Sequence, residues 1–540
     1  MTSSVPPTPG AEATPPDGTQ PGMTHRQRIN ALVGLLLGMF VAFLSSTIVS
    51  NALPTIIIDL HGTQDQYTWV VTATLLASTA TTPIWGKFAD LVSKKLLVQL
   101  SLILFTVGSV LAGLSQSVGM LIGCRVIQGL GLGGLQALVV IVIASMFSPR
   151  ERGRYQGPIA AVMAVATVAG PLIGGVIVDT SWLSWRWTFF IGVPLAVVAF
   201  GVVQRTLNLP TVRKDVTIDY LGAALIAAGV SVLLIWVTLA GKNFAWASGM
   251  SYGLVAFGVV LLAGAVFVES RVTDPIIPLH LFRDRTTTLA TLASIAVGVA
   301  LFGGAVFLGQ YFQIARGYSP TAAGLLTVPM VLGSTVSGAV SGALITRFGR
   351  WKIYLVIGAV AMTVGFGLLA TIDHTTGIAL ISGYLFVLGL GMGMTMQNLV
   401  LAVQNSVAPQ NLGAASSTVT FFRSLGGAAG VSVLGAVLSS RIVDLITTGL
   451  AALGITLPDG SGGAGLSNLN ELPPEIAEVV RAAYGDATAR IFLIAAILGA
   501  LAFVAIVFIR EVALGTRTGI EQLRDAQREA TAATEAATNR

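Results

Sequence analysis

Two arginines lie inside long apolar segments of the chain, where a charged side chain is costly and usually functional. Arg125 lies in the segment 119–147, and Arg423 lies near the middle of the segment 413–438. Such a guanidinium can take part in ion coupling, or it can hydrogen-bond the backbone carbonyls of a neighbouring helix. The residue type alone leaves both roles open.

Residues for other chemistry are sparse. Cys124 is the single cysteine, which excludes an intramolecular disulfide and a thiolate metal cluster. No phosphate-binding G-x-x-x-x-G-K-[ST] motif occurs, and the four histidines are far apart in sequence: His25, His61, His280 and His374. We therefore expect no enzymatic activity, no cofactor, no metal site and no ATP hydrolysis.

A short basic turn between two apolar segments occurs twice, at 86–95 and 342–352, so that the copies are 256 residues apart. A joint repeated in corresponding places is typical of a duplicated bundle of membrane helices, which is an architecture of transporters. The first copy carries an acid, Asp90, and the second has Thr346 in its place. The basic residues of the second copy are interpreted as orientation signals.

The composition indicates a membrane protein. Of the 540 residues, 54% are hydrophobic and 10% are charged, whereas soluble domains have about 25% charged residues, and the mean hydropathy is +0.82. The net charge of +6 does not indicate nucleic acid, because the basic residues lie in the short joints between apolar segments. The lipid bilayer is thus the first expected partner.

Fourteen segments have about the 20 residues that a helix needs to cross a bilayer. They are 31–56, 68–89, 96–115, 119–147, 157–178, 186–204, 219–240, 250–268, 288–312, 321–345, 353–371, 377–403, 413–438 and 490–510. The repeated turn follows the second and the tenth, so the seventh and eighth form a pair inserted between two six-helix bundles. We predict an all-α membrane protein whose domains are a disordered tail at 1–24, bundles at 25–205 and 288–510, the inserted pair at 206–287 and a polar tail at 511–540.

The longest outer loop is predicted at 439–489. Its stretch 458–463 is typical of a flexible loop, whereas Pro473 and Pro474 predict the start of a short helix with Glu475 in its first turn.

Lysine and arginine predict the orientation. If the N-terminus is cytoplasmic, 22 of the 30 basic residues fall on the cytoplasmic side, six fall outside and two lie within segments. We therefore predict a protein of the cell membrane with both termini in the cytoplasm.

Four local patterns follow one another along these segments: Thr47 to Pro54 in the first, Gly86…Asp90…Lys94-Lys95 after the second, Arg125-Val126-Ile127-Gln128-Gly129 in the fourth, and Gly157…Ala166…Gly170-Pro171-Leu172-Ile173-Gly174-Gly175 in the fifth. Together they resemble the major facilitator superfamily, in particular its fourteen-span drug:proton antiporters. The chain departs from that family at Leu91, Ser93 and Ala166. It also has Leu44-Ser45-Ser46 where the family has a first-helix acid.

The resemblance implies roles for two of these patterns. Gly86, Asp90, Lys94 and Lys95 would form a cytoplasmic gate loop, whose acid pairs with basic residues across a helix joint and stabilises the outward-facing state. Arg125 would face a central cavity and take part in proton coupling.

The fifth segment carries small residues on one helix face, because Ala166, Gly170 and Gly174 are spaced i, i+4, i+8. Pro171 beside them can kink the helix. The resemblance implies that this face, with Gly157 and Gly175, lets the fifth helix rock against a neighbour, and ordinary small-residue packing is the alternative.

The sequence offers no clear candidate for a residue that carries the proton. Proton antiport needs a titratable carboxylate in the membrane, and none of the 24 acidic residues lies clearly within a segment. Asp59 is the best candidate, because its depth at the outer end of the first segment is closest to that of Arg125. An acid beside an arginine stays ionised unless a substrate separates them.

The predicted substrate cavity is polar but uncharged. Its candidate residues are Phe43, Ser45, Thr47, Asn51, Gln128, Gln310, Tyr311, Gln313, Gln397 and Asn398. Interhelical hydrogen bonding is the alternative role for each polar residue. A cavity with an arginine and no buried acid favours neutral or weakly anionic lipophilic molecules.

We predict a secondary exporter of lipophilic or amphipathic compounds that works by alternating access against inward proton flow. One alternative is an exporter of lipids or lipid-like metabolites on the same fold, and another is a membrane receptor or scaffold without transport. Cells lacking a drug exporter would become drug-sensitive, whereas cells lacking a lipid exporter would have altered envelope lipids. The expected partners are the bilayer, a small lipophilic substrate and protons, without nucleic acid or ATP.

Overall fold

A computed structural model of the chain describes residues 24–62, 64–180, 182–209, 219–241, 244–272, 275–318, 320–408, 411–455, 473–516 and 521. Over these ranges the protein is built of α-helices joined by short turns. The helices are α1 (His25–Asp59), α2 (Gln64–Leu91), α3 (Lys94–Gly113), α4 (Val118–Met146), α5 (Pro149–Asp179), α6 (Trp187–Phe190), α7 (Gly192–Thr206), α8 (Tyr220–Leu239), α9 (Gly249–Glu269), α10 (Arg285–Gln310), α11 (Pro320–Leu326), α12 (Val328–Phe348), α13 (Lys352–Leu369), α14 (Ile378–Ser406), α15 (Leu412–Ala452) and α16 (Pro474–Val507).

All fourteen predicted membrane segments are helical. Twelve of them are long and apolar enough to cross a membrane within the described ranges, where α6 with α7 and α11 with α12 each count as one span. The other two are α2 and α10, with 28 and 26 residues. At about 1.5 Å per residue both exceed the hydrocarbon thickness of about 30 Å. The prediction of an all-helical membrane protein is confirmed.

The predicted outer loop 439–489 is wrong where the structure describes it. α15 continues past the membrane segment to Ala452, and α16 begins at Pro474 and reaches Val507 without a break. The short helix predicted at Pro473 and Pro474 is therefore the start of the last span, with Glu475 in its first turn as expected. The stretch 458–463, residues 1–23 of the N-terminal tail, and residues 517–520 and 522–540 of the C-terminal tail lie outside the described residues.

An apolar seam explains why these two helices extend beyond the predicted span. Leu438, Ile442, Ile446 and Leu450 recur at every fourth residue of α15 and are buried. They pack against a matching series on α16: Val480, Ala483, Ala487 and Ile491. Because each helix covers the other's apolar stripe, both remain helical without lipid around them.

The helices pack as two groups with a pair between them. In the first group α4 packs against α2 and α3, and α1 packs against α5 and α7. In the second, α10 packs against α15, and α14 packs against α12 and α13. The pair α8 and α9 is attached through contacts of α8 with α2 and α15. The exact domain bounds stay a prediction.

The two groups meet mainly through α2 with α15 and α5 with α12. Glycines allow helices to approach closely here and within each group. On α4, for example, a Cβ on Gly133 would overlap the carbonyl of Ser78 on α2. These contacts set the positions of every candidate residue described below.

Candidate functional site

A cavity of about 2330 Å³ lies between the two groups of helices. Its wall is formed by α1, α2 and α4 on one side, α10 and α15 on the other, and α8 of the inserted pair. It reaches the end of the bundle that carries Asp373, Arg441 and Arg490, which we call the far end. The end that carries Lys94, Lys95, Arg150 and Arg347 is called the basic end.

The cavity wall carries charge only at the far end. Its other residues are apolar or carry hydroxyl and amide groups, including Phe43, Ser46, Thr72, Leu75, Ser78, Thr79, Leu132, Gln136, Phe302, Phe307, Gln310 and Ser424. The charged lining residues all lie on the α13–α14 turn or the extended parts of α15 and α16: Asp373, Arg441, Asp444, Asp486 and Arg490. A molecule in the cavity would thus contact an uncharged wall below a charged rim.

Asp373 at this rim keeps its negative charge. Its Oδ1 accepts hydrogen bonds from the hydroxyl groups of Thr375 and Thr376, at 2.8 and 2.9 Å, and from both of their backbone N–H groups, at 2.7 Å each. These bonds favour the carboxylate and hold the pKa of Asp373 at about 2. The carboxylate therefore stays ionised over the whole physiological range and does not titrate there.

Of the ten predicted cavity residues, Phe43 and Gln310 line the cavity. Thr47, Tyr311 and Asn398 instead bond to neighbouring backbone. Tyr311 donates its hydroxyl to the Asp373 carbonyl at 2.6 Å, and Asn398 donates to the Met394 carbonyl at 2.7 Å. For these three the predicted alternative, hydrogen bonding between or within helices, describes the contacts found.

The remaining predicted cavity residues lie elsewhere. Ser45 is buried against Gly192 of α7, and Gln128 is buried inside the first group of helices. Gln313 is exposed and Gln397 is half-buried, and neither is among the residues of the cavity wall. The side chain of Asn51 lies outside what the structure describes.

The small-residue face of α5 packs mainly on α1. The Thr47 hydroxyl donates to the Ala166 carbonyl at 3.1 Å, and a Cβ on Gly170 would overlap that hydroxyl. Gly174 is buried, and a Cβ on Gly175 would have no neighbour within 4 Å. The side chain of Pro171 is not among those that the structure describes. The face therefore serves close packing within the first group.

The contact of α5 with the second group lies about two and a half to three and a half turns nearer the start of the helix than Ala166. A Cβ on Gly153 would overlap the Gly342 carbonyl of α12, and one on Gly157 would lie 2.8 Å from the Ala339 Cβ. Gly157, the first residue of the predicted pattern, thus belongs to the contact between the groups.

Arg125 is buried in a hydrogen-bonded network inside the first group. Its Nη1 donates to Gln128 Oε1 at 2.5 Å and its Nε to the Val70 carbonyl of α2 at 3.4 Å. Gln128 in turn donates to Ser109 Oγ of α3 at 2.8 Å. Arg125 therefore ties three helices together, and it is not among the residues of the cavity wall.

Asp59 and Arg125 are not brought together. The side chain of Asp59 is 54% exposed at the end of α1, where it accepts a hydrogen bond from Trp185 Nε1 at 2.6 Å and lies 3.7 Å from Arg186. Arg423 of α15 is buried and donates to the Met396 carbonyl at 3.3 Å, also away from the cavity wall.

We expect Arg125→Met to lower stability, because Gln128 Oε1 would lose its donor in an apolar surrounding, while the Val70 carbonyl keeps its bond within α2. Each buried group left unpaired costs about 1–3 kcal/mol. The double variant Arg125→Met/Gln128→Leu should cost less than the sum of the two single changes, since it removes donor and acceptor together. Thermal unfolding of the purified protein in detergent measures all three.

Gly123→Ala is the matched control on α4, because nothing lies within 4 Å of a Cβ at that position. Strictly additive losses for Arg125→Met and Gln128→Leu would contradict the network.

At the basic end, the carboxylate of Asp90 on α2 binds the N-terminus of α15 and so joins the two groups of helices. Asp90, in the last turn of α2, accepts hydrogen bonds from the backbone N–H groups of Gly413 at 3.0 Å and Ala414 at 2.9 Å. These N–H groups lie in the first turn of α15, where they have no partner within the helix and carry partial positive charge. Lys94, one of the basic side chains predicted to pair with Asp90, lies close enough to act on its charge, and the start of α15 is a further partner that the sequence did not predict.

Gly86 brings the two helices into this contact. A Cβ at Gly86 would overlap both Oγ and Cβ of Ser417 on α15. Among the predicted gate residues, Lys94 begins α3, and Lys95 joins α3 to the end of α7 through the Gln204 carbonyl at 2.6 Å and Asn208 Oδ1 at 3.1 Å.

A guanidinium closes the other contact between the groups. Arg150, in the first turn of α5, donates from Nε to the Thr346 carbonyl at 2.9 Å and from Nη2 to the Arg347 carbonyl at 3.2 Å. These carbonyls lie in the last turn of α12, where a helix end carries partial negative charge. The basic end is thus held closed by Asp90, which binds the N-terminus of α15, and by Arg150, which binds the C-terminus of α12.

Arg152 is a further contact between the groups that the sequence reasoning missed. It is buried, and it donates to Gln404 Oε1 of α14 at 2.6 Å and to the Phe147 and Ala144 carbonyls at 2.9 and 2.7 Å. Gln404 donates in turn to Ser416 Oγ of α15 at 2.8 Å. Three arginines in five residues at 150–154 were the available signal, but nothing in that run distinguishes the one that turns inward.

Most of the cavity residues that the sequence reasoning missed lie on α15, and a second set lies on α2. Thr72, Ser78 and Thr79 line the cavity, and so does Gln136, which is two turns beyond Gln128 on α4. For α2, the available signal in the sequence was its high content of serine and threonine within a helix long enough to span the membrane.

The sequence profile of the Major Facilitator Superfamily matches residues 35–431, nearly three quarters of the chain. The chain belongs to this superfamily. Membership makes this major facilitator a multi-pass membrane transporter rather than an enzyme, and it confirms the resemblance seen in the four sequence patterns.

Known relatives of this major facilitator include an uncharacterized MFS-type transporter of Mycobacterium tuberculosis (strain ATCC 25618 / H37Rv), 36% identical over 94% of the chain and 73% of the relative. The multidrug transporter protein MdtP of Bacillus subtilis (strain 168) is 34% identical over 80% of the chain and 79% of the relative. Among solved structures, the proton:xylose symporter XylE matches with a TM-score of 0.61 over 92% of this chain and 99% of the symporter. At 15% identity, that match shows the fold alone.

Proposed function

We propose that the protein exports lipophilic or amphipathic small molecules across the cell membrane by alternating access, driven by inward proton flow. One observation carries this proposal: a large uncharged cavity reaches the far end, while the contacts α2–α15 and α5–α12 close the basic end. In alternating access, two bundles rock about a central site so that one end opens as the other closes.

We assign the basic end to the cytoplasm, because lysine and arginine concentrate in the cytoplasmic joints of membrane proteins. Both termini then lie in the cytoplasm, and the cavity faces outward. In this orientation the structure represents the state that releases an exported molecule.

The cavity supports a class of substrate rather than one compound. Pockets for drug-sized ligands measure about 300–1,000 Å³, and this cavity of about 2330 Å³ is larger. Its wall combines aromatic rings, such as Phe43 and Phe302, with hydroxyl and amide groups, and its acids are confined to the rim. Such a wall suits neutral or weakly anionic lipophilic molecules in several poses and disfavours dications. The printed name of the Bacillus subtilis relative, a multidrug transporter, supports the same class.

The test is transport by the purified protein in proteoliposomes carrying a pH gradient. Lipophilic cationic, neutral and anionic dyes would be compared, and we expect gradient-dependent flux of the neutral and anionic dyes. Arg125→Ala tests the proton-coupling role that the resemblance implies for Arg125. Loss of the gradient dependence at an unchanged melting temperature would support that role, whereas loss of flux together with a lower melting temperature would reflect the broken network around Gln128 and Val70. Asp59→Asn should keep the gradient-dependent flux, because Asp59 is exposed and held by Trp185 and Arg186 rather than by Arg125.

Each other outcome has a defined meaning. Flux that ignores the gradient would refute proton antiport, and loss of coupling in Asp59→Asn would restore Asp59 as the carrier. Transport of fluorescent lipids without any dye flux would favour the lipid exporter, and absence of all flux would favour a receptor or scaffold.

A further inference from the structure

Two acids face each other at the basic end of the inserted pair of helices. Asp219 immediately precedes α8, and Glu269 is the last residue of α9. Both are more than nine-tenths buried, with 8% and 4% of their surfaces exposed. Buried acids are rare unless they are paired or bind a ligand, and neither of these is used by the proposed cavity.

Each carboxylate has one oxygen bonded to backbone and one oxygen left over. Asp219 Oδ1 accepts the Gly222 N–H at 2.7 Å and so caps the start of α8, and Glu269 Oε2 accepts the Ile277 N–H at 3.3 Å. Asp219 Oδ2 and Glu269 Oε1 are buried and have no hydrogen-bond partner among the described residues.

The two unpartnered oxygens point at the same place. A Cβ built on Gly222 would contact both, and its distances to them put the two oxygens within about 5 Å of each other. The site exists because residue 222 is a glycine, since any larger side chain would fill the space between the two carboxylates.

Among the described residues, the surroundings are apolar except for one cation. α15 contributes Phe421 and Phe422, and the segment after α9 contributes Ile276 and Ile277. From α2, Lys87 lies close enough to act on the charge of Glu269. Two ionised acids and one lysine would leave one uncompensated negative charge in a buried site.

We propose that Asp219 and Glu269 form a proton-binding site that holds one proton between Asp219 Oδ2 and Glu269 Oε1 at neutral pH. One carboxyl then donates its O–H to the other carboxylate, so both leftover oxygens are satisfied, and the single remaining negative charge faces Lys87. Two close carboxylates do not both ionise when they are screened from water, which favours sharing over double ionisation. A metal ion is a poorer occupant, because no group of three or more possible ligands occurs among the described residues. This site does not depend on the proposed export.

Infrared spectroscopy of the full-length protein in lipid nanodiscs tests the site. At pH 7 the wild type should show the carbonyl stretch of a protonated carboxyl, shifted in heavy water. Asp219→Asn and Glu269→Gln should each remove this band, because the remaining carboxylate then accepts a hydrogen bond from an amide and no longer needs the proton. The exposed acid Glu475 offers the matched control, and Glu475→Gln should keep the band.

Three outcomes would overturn the proposal: no band in the wild type at pH 7, a band that survives both amide variants, or a band removed by sodium chloride but not by choline chloride. The last would make the pair a site for a monovalent cation. Absence of the band in the wild type would overturn the proposal without any substitution, and melting temperatures identify a variant that has unfolded.

Discussion

Replacing Gly86 with alanine is expected to open the basic end in most molecules. The added methyl would overlap Ser417 of α15, and overpacking of this kind costs about 1–3 kcal/mol. Because the overlap exists only while α2 and α15 are in contact, the cost falls on the closed state and shifts the equilibrium by about 5- to 150-fold. Pulsed electron paramagnetic resonance between spin labels on Leu96→Cys and Phe348→Cys, exposed positions of the two groups, would report a longer distance. The background variant Cys124→Ala removes the single native thiol.

A second-site change makes this expectation specific. Ser417→Gly removes both side-chain atoms that the new methyl would overlap and leaves the Gly413 carbonyl oxygen at 2.9 Å, so Gly86→Ala/Ser417→Gly should return part of the distance distribution toward that of the parent. Gly123→Ala adds the same methyl to α4 in open space and should change nothing. If Gly86→Ala left the distances unchanged, the closed contact would not depend on this approach of the two helices.

Replacing Asp90 with alanine should also favour the open basic end, through lost hydrogen bonds rather than a clash. A capping side chain at a helix start contributes about 0.5–2 kcal/mol, which corresponds to about a 2- to 30-fold shift in the equilibrium. Asp90→Asn keeps an oxygen that can accept from the Gly413 or Ala414 N–H but loses the charge, so its effect should be smaller. The same spin-label pair measures both.

Arg150→Ala tests the other contact between the groups, which joins α5 to α12. Arg150→Ala removes the bonds to the carbonyls at the end of α12, far along the sequence from the α2–α15 contact. The contacts of Asp90 and Arg150 can open in one step or separately. If they open in one step, the changes that Asp90→Ala and Arg150→Ala cause in the free energy of opening should add within about 0.5 kcal/mol. Opening caused by one variant and not the other would show that the two contacts part independently.

The fold was predictable because bilayer thickness limits the length of apolar segments. That rule predicts fourteen segments, which are all helical, and twelve of them have the length and apolarity of a membrane span within the described ranges. The inserted pair stays a prediction from the repeated basic turn. The extension of α15 to Ala452 did not follow, because the prediction ended helices where the bilayer ends. Its signal was present as Leu438, Ile442, Ile446 and Leu450 at four-residue spacing, a stripe that needed a partner helix to be interpreted.

The candidate site was predictable only in part. The structure places Phe43 and Gln310 at the cavity wall, whereas Thr47 and Gln128 bond to neighbouring helices. In a helix that is apolar all round, the sequence does not mark which face meets the cavity and which meets another helix. The further partner of Asp90, the start of α15, was also beyond the sequence, since a helix start offers backbone N–H groups that no residue type announces.

The two caps at the basic end have a consequence for evolutionary analysis. Asp90 and Arg150 bind backbone atoms of the other half, so these bonds specify no partner side chain, although residue 413 must be glycine because a Cβ there would overlap Asp90 Oδ1. The bonds of Asp90 and Arg150 therefore need no matching side chain in the other half. Covariation between positions arises from contacts between side chains, so an alignment of homologues would show little covariation for these two bonds. It would place the signal of the closure at contacts that involve side chains, such as Gly86 with Ser417 and Arg152 with Gln404. The second half can thus carry Thr346 in its copy of the basic turn while the cap formed by Arg150 persists.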